Sequence, residues 1–266
     1  MRRLAVTAAT ATLALAYWLH RRRRMAVTSE RERAHTTNDT SGTNTLAMLD
    51  DRGFVVLQSA AKPAQVARMR KAIQAEVDKA EAGGYLIWTP AEALPTACRE
   101  WAESDAAALL QRSLAPGTPA VRLLGGAALW KRAGVHDGTP FHQDFAYAES
   151  EEPGSTASRE KRHAAVWLAL TPTGPRSSCL RFAPSLGYEL LPHRTLPRAE
   201  APSGFETHMV GLAVERAEAA AEDVVLEPGQ AVIIGDRVVH GSHGGKTAES
   251  DRLAFSPLFE VDCTSH

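Results

Sequence analysis

The sequence predicts a mainly β fold, a sandwich or jelly roll, with helices packed on its outside. Two observations indicate this fold class: two helical stretches come first, and a long series of short β-type runs follows, separated by Gly and Pro. A length of 266 residues suits one all-β or α/β domain better than two small ones. We therefore expect one large core built mostly from strands.

The predicted elements begin with a short apolar strand at 54–57. Pro63 then begins a helix that ends near residues 83–84, and one face of this helix carries the apolar residues Val66, Met69, Ile73 and Val77. A second helical region covers 95–114. The strand candidates that follow are 121–124, 164–170, 179–183, 224–226, 231–234, 238–241 and 252–259.

Composition excludes several classes of protein. With 44% hydrophobic residues, 23% charged residues and a net charge of −1, the chain is neither disordered by composition nor basic enough to track nucleic-acid phosphates. The three cysteines, Cys98, Cys179 and Cys263, form no CxxC pair and leave one unpaired. They therefore indicate neither a disulfide framework nor a thiolate zinc site, and a reducing compartment fits.

The N-terminal 24 residues differ from the rest of the chain. Arg2, Arg3 and four consecutive arginines at 21–24 bracket an uncharged run at 4–19, and no acidic residue occurs before Glu30. As a helix this run would rise about 24 Å, less than the roughly 30 Å of a bilayer's hydrocarbon core. Tyr17 and Trp18 beside the second arginine cluster resemble an interfacial aromatic pair with a cytoplasmic flank.

These features predict three segments: a hydrophobic anchor or targeting segment at 1–24, a flexible linker at 25–45 rich in Ser, Thr, Arg, Asn and Gly, and a globular domain at 46–266. The preferred interpretation is a membrane anchor with the catalytic domain on the cytoplasmic side. The alternatives are a transit peptide, cleaved on entry into a mitochondrion or another organelle, and a cleaved secretory signal.

The first informative motif is His142-Gln143-Asp144. Residues two apart on a strand project from the same face, so His142 and Asp144 can reach one metal ion. A lone HxD triplet is common by chance and is often only a surface loop. A second site therefore has to support it.

That second site lies 98 residues further on. His240 and Ser242 share a face of a strand-like run, and Arg252 opens another strand after a Gly244-Gly245 turn. A hairpin would bring the Arg252 guanidinium beside the His240 strand.

Two histidines and one carboxylate leave coordination positions open on a metal, which is the ligand pattern of non-haem Fe(II) oxygenases. A catalytic zinc site could use the same ligands. A buried arginine nearby favours the oxygenase, because its fork suits the distal carboxylate of a dicarboxylate cosubstrate.

The chain resembles the phytanoyl-CoA dioxygenase family of Fe(II)- and 2-oxoglutarate-dependent oxygenases over most of residues 48–260. The residues that carry this resemblance are Asp50 to Leu57, the HxD motif, Val166 to Leu170, Cys179 to Ser185, His240-Gly241-Ser242 and Arg252. The resemblance implies a double-stranded β-helix core of the jelly-roll or cupin-like type, with Trp167 near 2-oxoglutarate. Ser177-Ser178 departs from it, because this family usually has Asn-Gly at that point.

The resemblance implies an enzyme that takes Fe(II), 2-oxoglutarate and O2, with His142, Asp144 and His240 as metal ligands and Arg252, Ser242 and Trp167 binding the cosubstrate. It would hydroxylate a small-molecule or acyl substrate and release succinate and CO2. Relatives that halogenate carry a small residue at the Asp144 position, so an aspartate there favours hydroxylation. The alternatives are a catalytically silent jelly-roll module that binds a ligand and a zinc-dependent hydrolase with the same triad.

Three further residues are weaker candidates. His243 lies three residues from His240, on the opposite strand face, so we do not expect it to bind the same metal. Lys131 lies on a strand that leads to the HxD motif and is a candidate contact for substrate or cosubstrate. His193 is a candidate for the substrate mouth, although a surface position is the expected one.

Overall fold

Twelve β-strands in two main sheets and a hairpin make up most of the structure, a computed structural model that describes residues 49, 51–78, 86–114, 121–146, 161–197, 200, 207–246 and 248–262. The strands are β1 (Phe54–Leu57), β2 (Leu86–Pro90), β3 (Arg122–Lys131), β4 (Thr139–His142), β5 (Lys161–Ala169), β6 (Leu180–Phe182), β7 (His193–Thr195), β8 (Thr207–Met209), β9 (Glu222–Val224), β10 (Ala231–Gly235), β11 (His240–Ser242) and β12 (Arg252–Asp262). The helices are α1 (Pro63–Val77), α2 (Thr96–Trp101), α3 (Ala107–Ser113) and α4 (Leu212–Ala220), with a π-helical segment (Ala102–Ala106) between α2 and α3.

The strands form a six-stranded sheet in the order β1-β10-β5-β12-β3-β2 and a four-stranded sheet in the order β4-β11-β6-β9, while β7 pairs with β8. All pairings are antiparallel. Two facing antiparallel sheets with helices outside confirm the predicted mainly β, jelly-roll class, and the architecture agrees with a double-stranded β-helix core.

The six-stranded sheet is apolar on both faces because each face is covered. Along β5, Val166 and Leu168 pack with the helices, while Ala165, Trp167 and Ala169 pack into the space between the sheets. Phe54 of β1 and Phe182 of β6 stack across that space with ring centroids 4.1 Å apart. This double coverage explains why β5 and β10 read in the sequence as continuous apolar runs.

Helix α1 buries the four residues predicted from its spacing, Val66, Met69, Ile73 and Val77. Its described part ends at Val77, and residues 79–85 lie outside the described part. The outer face of the four-stranded sheet is covered by α4, whose Ala213 and Ala217 pack with Phe141 and Val239.

The sequence does not predict β2, β7, β8 or α4. β7 and β8 have three residues each and mixed polarity, and β2 ends in a proline, so none has a clear period-two pattern. The buried face of α4 consists of alanines, which give little amphipathic contrast.

The predicted N-terminal anchor and linker lie outside the described residues. Within the described ranges, no helix is both long enough and apolar enough to cross a bilayer.

Candidate functional site

The three predicted metal ligands come together between the two sheets. One donor atom from each of His142, Asp144 and His240 lies within 4.8 Å of the others. The Asp144 Oδ1 atom is 3.4 Å from His142 Nε2 and 3.7 Å from His240 Nε2. The predicted trio therefore converges on one point that could hold a single ion.

The two histidines are direct partners across the sheet. His142 of β4 is in register with His240 of β11, and their ring centroids are 4.3 Å apart. Both residues are buried, and Phe182 of β6 stacks on the His240 ring at 5.7 Å. Cross-strand pairing thus sets the distance between the two imidazoles.

Asp144 reaches the site by a different route from the one predicted. β4 ends at His142, and Asp144 follows in a turn. The two residues do meet as predicted, but they are not neighbours on one face of a single strand. The turn leaves the Asp144 side chain 29% exposed, whereas the His142 side chain is 4% exposed. The carboxylate therefore lies on the open side of the site.

Backbone carbonyls fix both imidazole tautomers. The Nδ1 atom of His142 donates to the Pro140 carbonyl at 2.9 Å, and that of His240 donates to the Val238 carbonyl at 3.1 Å. A carbonyl only accepts, so each ring carries a proton on Nδ1 and directs its Nε2 toward Asp144. Histidine ligands of metal sites are commonly oriented by this kind of hydrogen bond.

The surroundings of His240 and Asp144 shift their pKa values in directions that favour cation binding. Burial and the neighbouring His142 lower the pKa of His240 to about 4, so its imidazole is neutral at pH 7. For Asp144, burial alone would raise the pKa, but the His240 and His142 imidazoles hold it below its ordinary value. A neutral imidazole at His240 and an ionised carboxylate at Asp144 are protonation states that suit a divalent metal.

Gln143, between two of the ligands, anchors the turn. Its side chain is fully buried, donates to the carbonyls of Glu189 (3.0 Å) and Arg237 (2.6 Å), and accepts from the Leu191 amide (2.9 Å). His193, a candidate for the substrate mouth, accepts a hydrogen bond at its Nε2 from the backbone N–H of Gln143 at 3.2 Å. Both residues therefore position the ligand-bearing turn, and burial of a polar residue inside a motif is not visible in a single sequence.

Gly241 allows the two ligand strands to approach closely. The β4–β11 register shifts between His240 and Ser242, and a Cβ atom at Gly241 would lie 2.7 Å from the Thr139 carbonyl oxygen. Any side chain at this position would push the strands apart.

Two buried basic side chains, Arg252 and Lys131, pair on adjacent strands, and Lys131 contacts Ser242, two residues from His240. Arg252 of β12 is 1% exposed, its NH1 donates to the Ser178 carbonyl at 2.9 Å, and its guanidinium lies 5.3 Å from the Trp167 ring centroid. The Lys131 Nζ donates to Ser242 Oγ at 2.8 Å, and Ser242 in turn donates to Thr139 Oγ1 at 2.8 Å. The predicted Arg252, Ser242 and Trp167 are thus joined by Lys131, which the sequence indicated only weakly.

The predicted hairpin between the His240 strand and the Arg252 strand is wrong. β11 belongs to the four-stranded sheet and β12 to the six-stranded sheet, so the segment after Ser242 crosses from one sheet to the other. Arg252 pairs with Lys131 of β3 instead. The Gly244-Gly245 turn pattern fits a hairpin and a sheet crossover equally well, because both need a tight turn.

The family described as phytanoyl-CoA dioxygenase (PhyH) matches residues 49–254. No curated protein sequence matches the chain significantly. The matched range includes His142, Asp144, His240 and Arg252.

Solved structures with the same fold include EvdO2 from Micromonospora carbonacea var. aurantiaca, with 21% identity, 85% of this chain and 92% of that chain covered, and a TM-score of 0.63. AviO1 from Streptomyces viridochromogenes Tue57 has 16% identity, coverage of 86% and 98%, and a TM-score of 0.61. The epimerase SnoN, in complex with Fe3+, alpha ketoglutarate and nogalamycin RO, has 22% identity, coverage of 85% and 86%, and a TM-score of 0.62. At these identities the likeness concerns the fold; of the SnoN ligands, iron and alpha ketoglutarate are the metal and cosubstrate that the sequence predicts here.

Proposed function

We propose that this chain, which belongs to the phytanoyl-CoA dioxygenase family, hydroxylates a small-molecule or acyl substrate with consumption of 2-oxoglutarate and release of succinate and CO2. The observation that carries this proposal is the convergence of the His142, Asp144 and His240 donor atoms, with the buried basic side chains of Arg252 and Lys131 next to Ser242 on the His240 strand. Iron, 2-oxoglutarate and O2 are the cofactors that this arrangement suits.

The residues present fit an Fe(II) ion. Two imidazole nitrogens and one carboxylate form a facial set that leaves positions open for a chelating cosubstrate and for O2. Both imidazoles are oriented by carbonyls, and the carboxylate lies on the exposed side, where a substrate can approach. When bound, iron supplies the oxidative chemistry that couples decarboxylation of 2-oxoglutarate to insertion of one oxygen atom into a C–H bond.

The Arg252–Lys131 pair fits the far carboxylate of 2-oxoglutarate. His240 and Ser242 are two residues apart on β11, a rise of about 7 Å, which a five-carbon dicarboxylate can span. The Arg252 guanidinium presents planar donors, and Lys131 and Ser242 are further hydrogen-bonding groups beside it. In this proposal Trp167 holds the guanidinium through its ring face and packs beside the cosubstrate.

Two features favour hydroxylation over other outcomes. Asp144 occupies the position that halogenating relatives leave open for halide. Asp144 and its neighbours also form a site whose protein ligands are complete without the substrate, so a C–H bond can be presented to the open side. SnoN, an epimerase, has the same fold, so product analysis has to decide the outcome.

The two alternative functions, a zinc-dependent hydrolase and a silent ligand-binding module, each account for only some of these residues. A zinc-dependent hydrolase would use the trio but has no need of a buried arginine and lysine beside it. A silent ligand-binding module would need neither the fixed tautomers nor the neutral imidazoles. The combined arrangement supports the oxygenase over both.

The test uses purified protein loaded with Fe(II) and given 2-oxoglutarate, O2 and a metabolite extract. We expect succinate formation and, by mass spectrometry, a substrate whose mass increases by one oxygen atom. Asp144→Ala should lose both iron affinity and turnover. Full iron affinity and full 2-oxoglutarate consumption in that variant would contradict the ligand set, and a product without added oxygen would contradict hydroxylation.

We also propose that residues 1–45 serve location and not chemistry, since every motif lies beyond residue 48. A chain beginning near Thr45 should retain full activity. Pelleting of the full chain with membranes and resistance to carbonate extraction would support the anchor, whereas a shortened species inside an organelle would support the transit peptide.

A further inference from the structure

A second group of metal-binding side chains lies on the other face of the four-stranded sheet. One donor atom from each of Cys179, Asp223 and His243 lies within 4.8 Å of the others. None of these three side chains belongs to the iron trio, and only the backbone carbonyl of His243, which accepts from Lys131 Nζ at 3.2 Å, contacts the cosubstrate site described above.

Strand register brings the three residues to this outer face. Leu180 and Phe182 of β6 point between the sheets, so Cys179 and Arg181 point outward. Asp223 of β9 is in register with Arg181, and the His243 amide donates to the Cys179 carbonyl at 3.1 Å. Three segments that are distant in sequence thus present a thiol, a carboxylate and an imidazole on one patch.

We propose that Cys179, Asp223 and His243 bind a second divalent ion of the zinc class, independently of the iron site. Sulfur, nitrogen and carboxylate oxygen are the donors that zinc takes in proteins, and three protein ligands leave one position of a tetrahedral site open. Of the three ligands, His243 also lines a cavity of about 390 Å³ beside α4.

The present distances allow such an ion with little movement. His243 Nε2 and Asp223 Oδ1 are 2.7 Å apart, whereas two zinc ligands of this kind lie about 3.3 Å apart. Both side chains are about one third exposed, 30% for His243 and 35% for Asp223, so a small rotation of either can open the gap.

Two positive side chains, Arg252 and Arg181, act on this group from its surroundings. Arg181 Nε lies 3.6 Å from Asp223 Oδ1. Its NH1, however, forms a closer ion pair with Glu218 at 2.7 Å, so the Asp223 charge remains available. Arg181 can then hydrogen-bond the carboxylate from outside the coordination sphere, as second-shell donors do.

Binding would release one proton. Burial, followed by the charge of Asp223, raises the pKa of Cys179 to about 12, so the metal-free protein carries a thiol. Zinc coordination breaks the S–H bond, forms the Zn–S bond and passes the thiol proton to solvent, while the proton that His243 Nε2 donates to Asp223 moves to Nδ1 so that Nε2 can bind the metal, with no change of oxidation state. The sequence gives no sign of this site because its cysteine has no CxxC partner, and only the sheet register supplies the other two ligands.

The test is titration of the full, metal-free chain with Co2+ as a spectroscopic substitute for zinc. We expect two ions per chain, one of which produces a near-ultraviolet thiolate-to-cobalt charge-transfer band that Zn2+ abolishes by competition. Cys179→Ser should remove this band and leave one bound ion. His142→Ala should also leave one bound ion, but it should be the ion that produces the band. The two variants therefore separate this proposal from the proposed function.

Cys98→Ser is the matched control, because Cys98 is an equally buried cysteine located on α2. If Cys179→Ser does not fold, His243→Gln serves instead and should weaken the band-forming ion at least tenfold. A saturated wild-type protein without the band, a band that survives Cys179→Ser, or unchanged affinity in His243→Gln would overturn the proposal.

Discussion

Lys131 and Arg252 lie directly opposite one another on the adjacent antiparallel strands β3 and β12, and both side chains are almost completely buried. Burial, together with the Arg252 charge, lowers the pKa of Lys131 to about 6 from an ordinary value of 10.5. Two like charges side by side are unfavourable, so the metal-free and ligand-free protein keeps Lys131 largely neutral at pH 7. This pair makes the proposed cosubstrate pocket responsive to an anion.

The first prediction is that 2-oxoglutarate binding takes up protons near pH 7.5. A carboxylate placed between Arg252 and Lys131 favours the charged ammonium, so Lys131 should bind a proton as the cosubstrate enters. Calorimetric titrations in buffers of different ionisation enthalpy measure this uptake. Lys131→Met should abolish it, and a buffer-independent enthalpy in the wild-type protein would argue against the pocket.

The second prediction concerns the pH dependence of stability in the absence of cosubstrate. Between pH about 6 and 10.5 the unfolded chain protonates Lys131 while the folded chain does not, so the Lys131 contribution to the free energy of unfolding rises with pH across this window. Urea unfolding at several pH values measures the slope. Lys131→Met should have a flatter profile, and an identical profile would show that the ammonium stays charged when buried.

The third prediction is that Arg252→Lys does not preserve function. Lysine lacks the planar fork, so its single ammonium does not combine the bond to the Ser178 carbonyl with two parallel donors to a carboxylate in the way that the guanidinium can. The affinity for 2-oxoglutarate should fall at least tenfold, or about 1.4 kcal/mol. Iron affinity should be unchanged, since Arg252 is not a ligand; an unchanged KM for 2-oxoglutarate would move the carboxylate site elsewhere.

The fourth prediction is that Gln143→Leu weakens iron binding about 10- to 100-fold, as loss of outer-shell support does elsewhere. The substitution removes three hydrogen bonds that hold the turn bearing Asp144 and leaves their backbone partners buried. Competition with a metal-sensitive chelator measures the affinity. Gln143→Glu keeps the acceptor toward Leu191 but sets an oxygen against the Glu189 and Arg237 carbonyl oxygens, so it should not recover the affinity; wild-type iron affinity in either variant would contradict the role of the side-chain amide.

The fifth prediction is that Ser178→Gly stabilises the protein. Ser178 has a φ of 56°, a left-handed conformation that costs a residue with a side chain about 1–2 kcal/mol, and its buried hydroxyl has no hydrogen-bond partner. The greater freedom of glycine in the unfolded chain offsets about 0.4–1 kcal/mol of the gain. Thermal unfolding should show a higher Tm. Ser177→Gly is the matched control, because Ser177 has no positive φ and should not gain stability.

The conformation of Ser178 shows what the Ser177-Ser178 departure from the family pattern changes in the structure. Asn-Gly would place a glycine where the chain turns left-handed, and here a serine adopts that conformation instead. The Ser178 carbonyl still reaches Arg252. The departure therefore changes the local strain and leaves the contact to the arginine in place.

Local pattern alone determined a large part of this protein. The period of 3.6 predicted all four buried residues of α1, and short apolar runs separated by Gly and Pro predicted β1, β5, β10 and β12 with small errors at their ends. The HxD motif, a distant histidine and a later arginine predicted the residues that now lie together. Such features follow from backbone periodicity and from the chemistry of single residue types, and both are readable along one chain.

Only the tertiary structure decided how these pieces meet. Asp144 lies in a turn held by the buried amide of Gln143, and Arg252 reaches the site from the opposite sheet, with Lys131 as its partner. Cys179, Asp223 and His243 likewise become neighbours only through the β6–β9 and β6–β11 pairings. Strand order and register arise from long-range packing of apolar faces, which the spacing of residues within one segment does not encode.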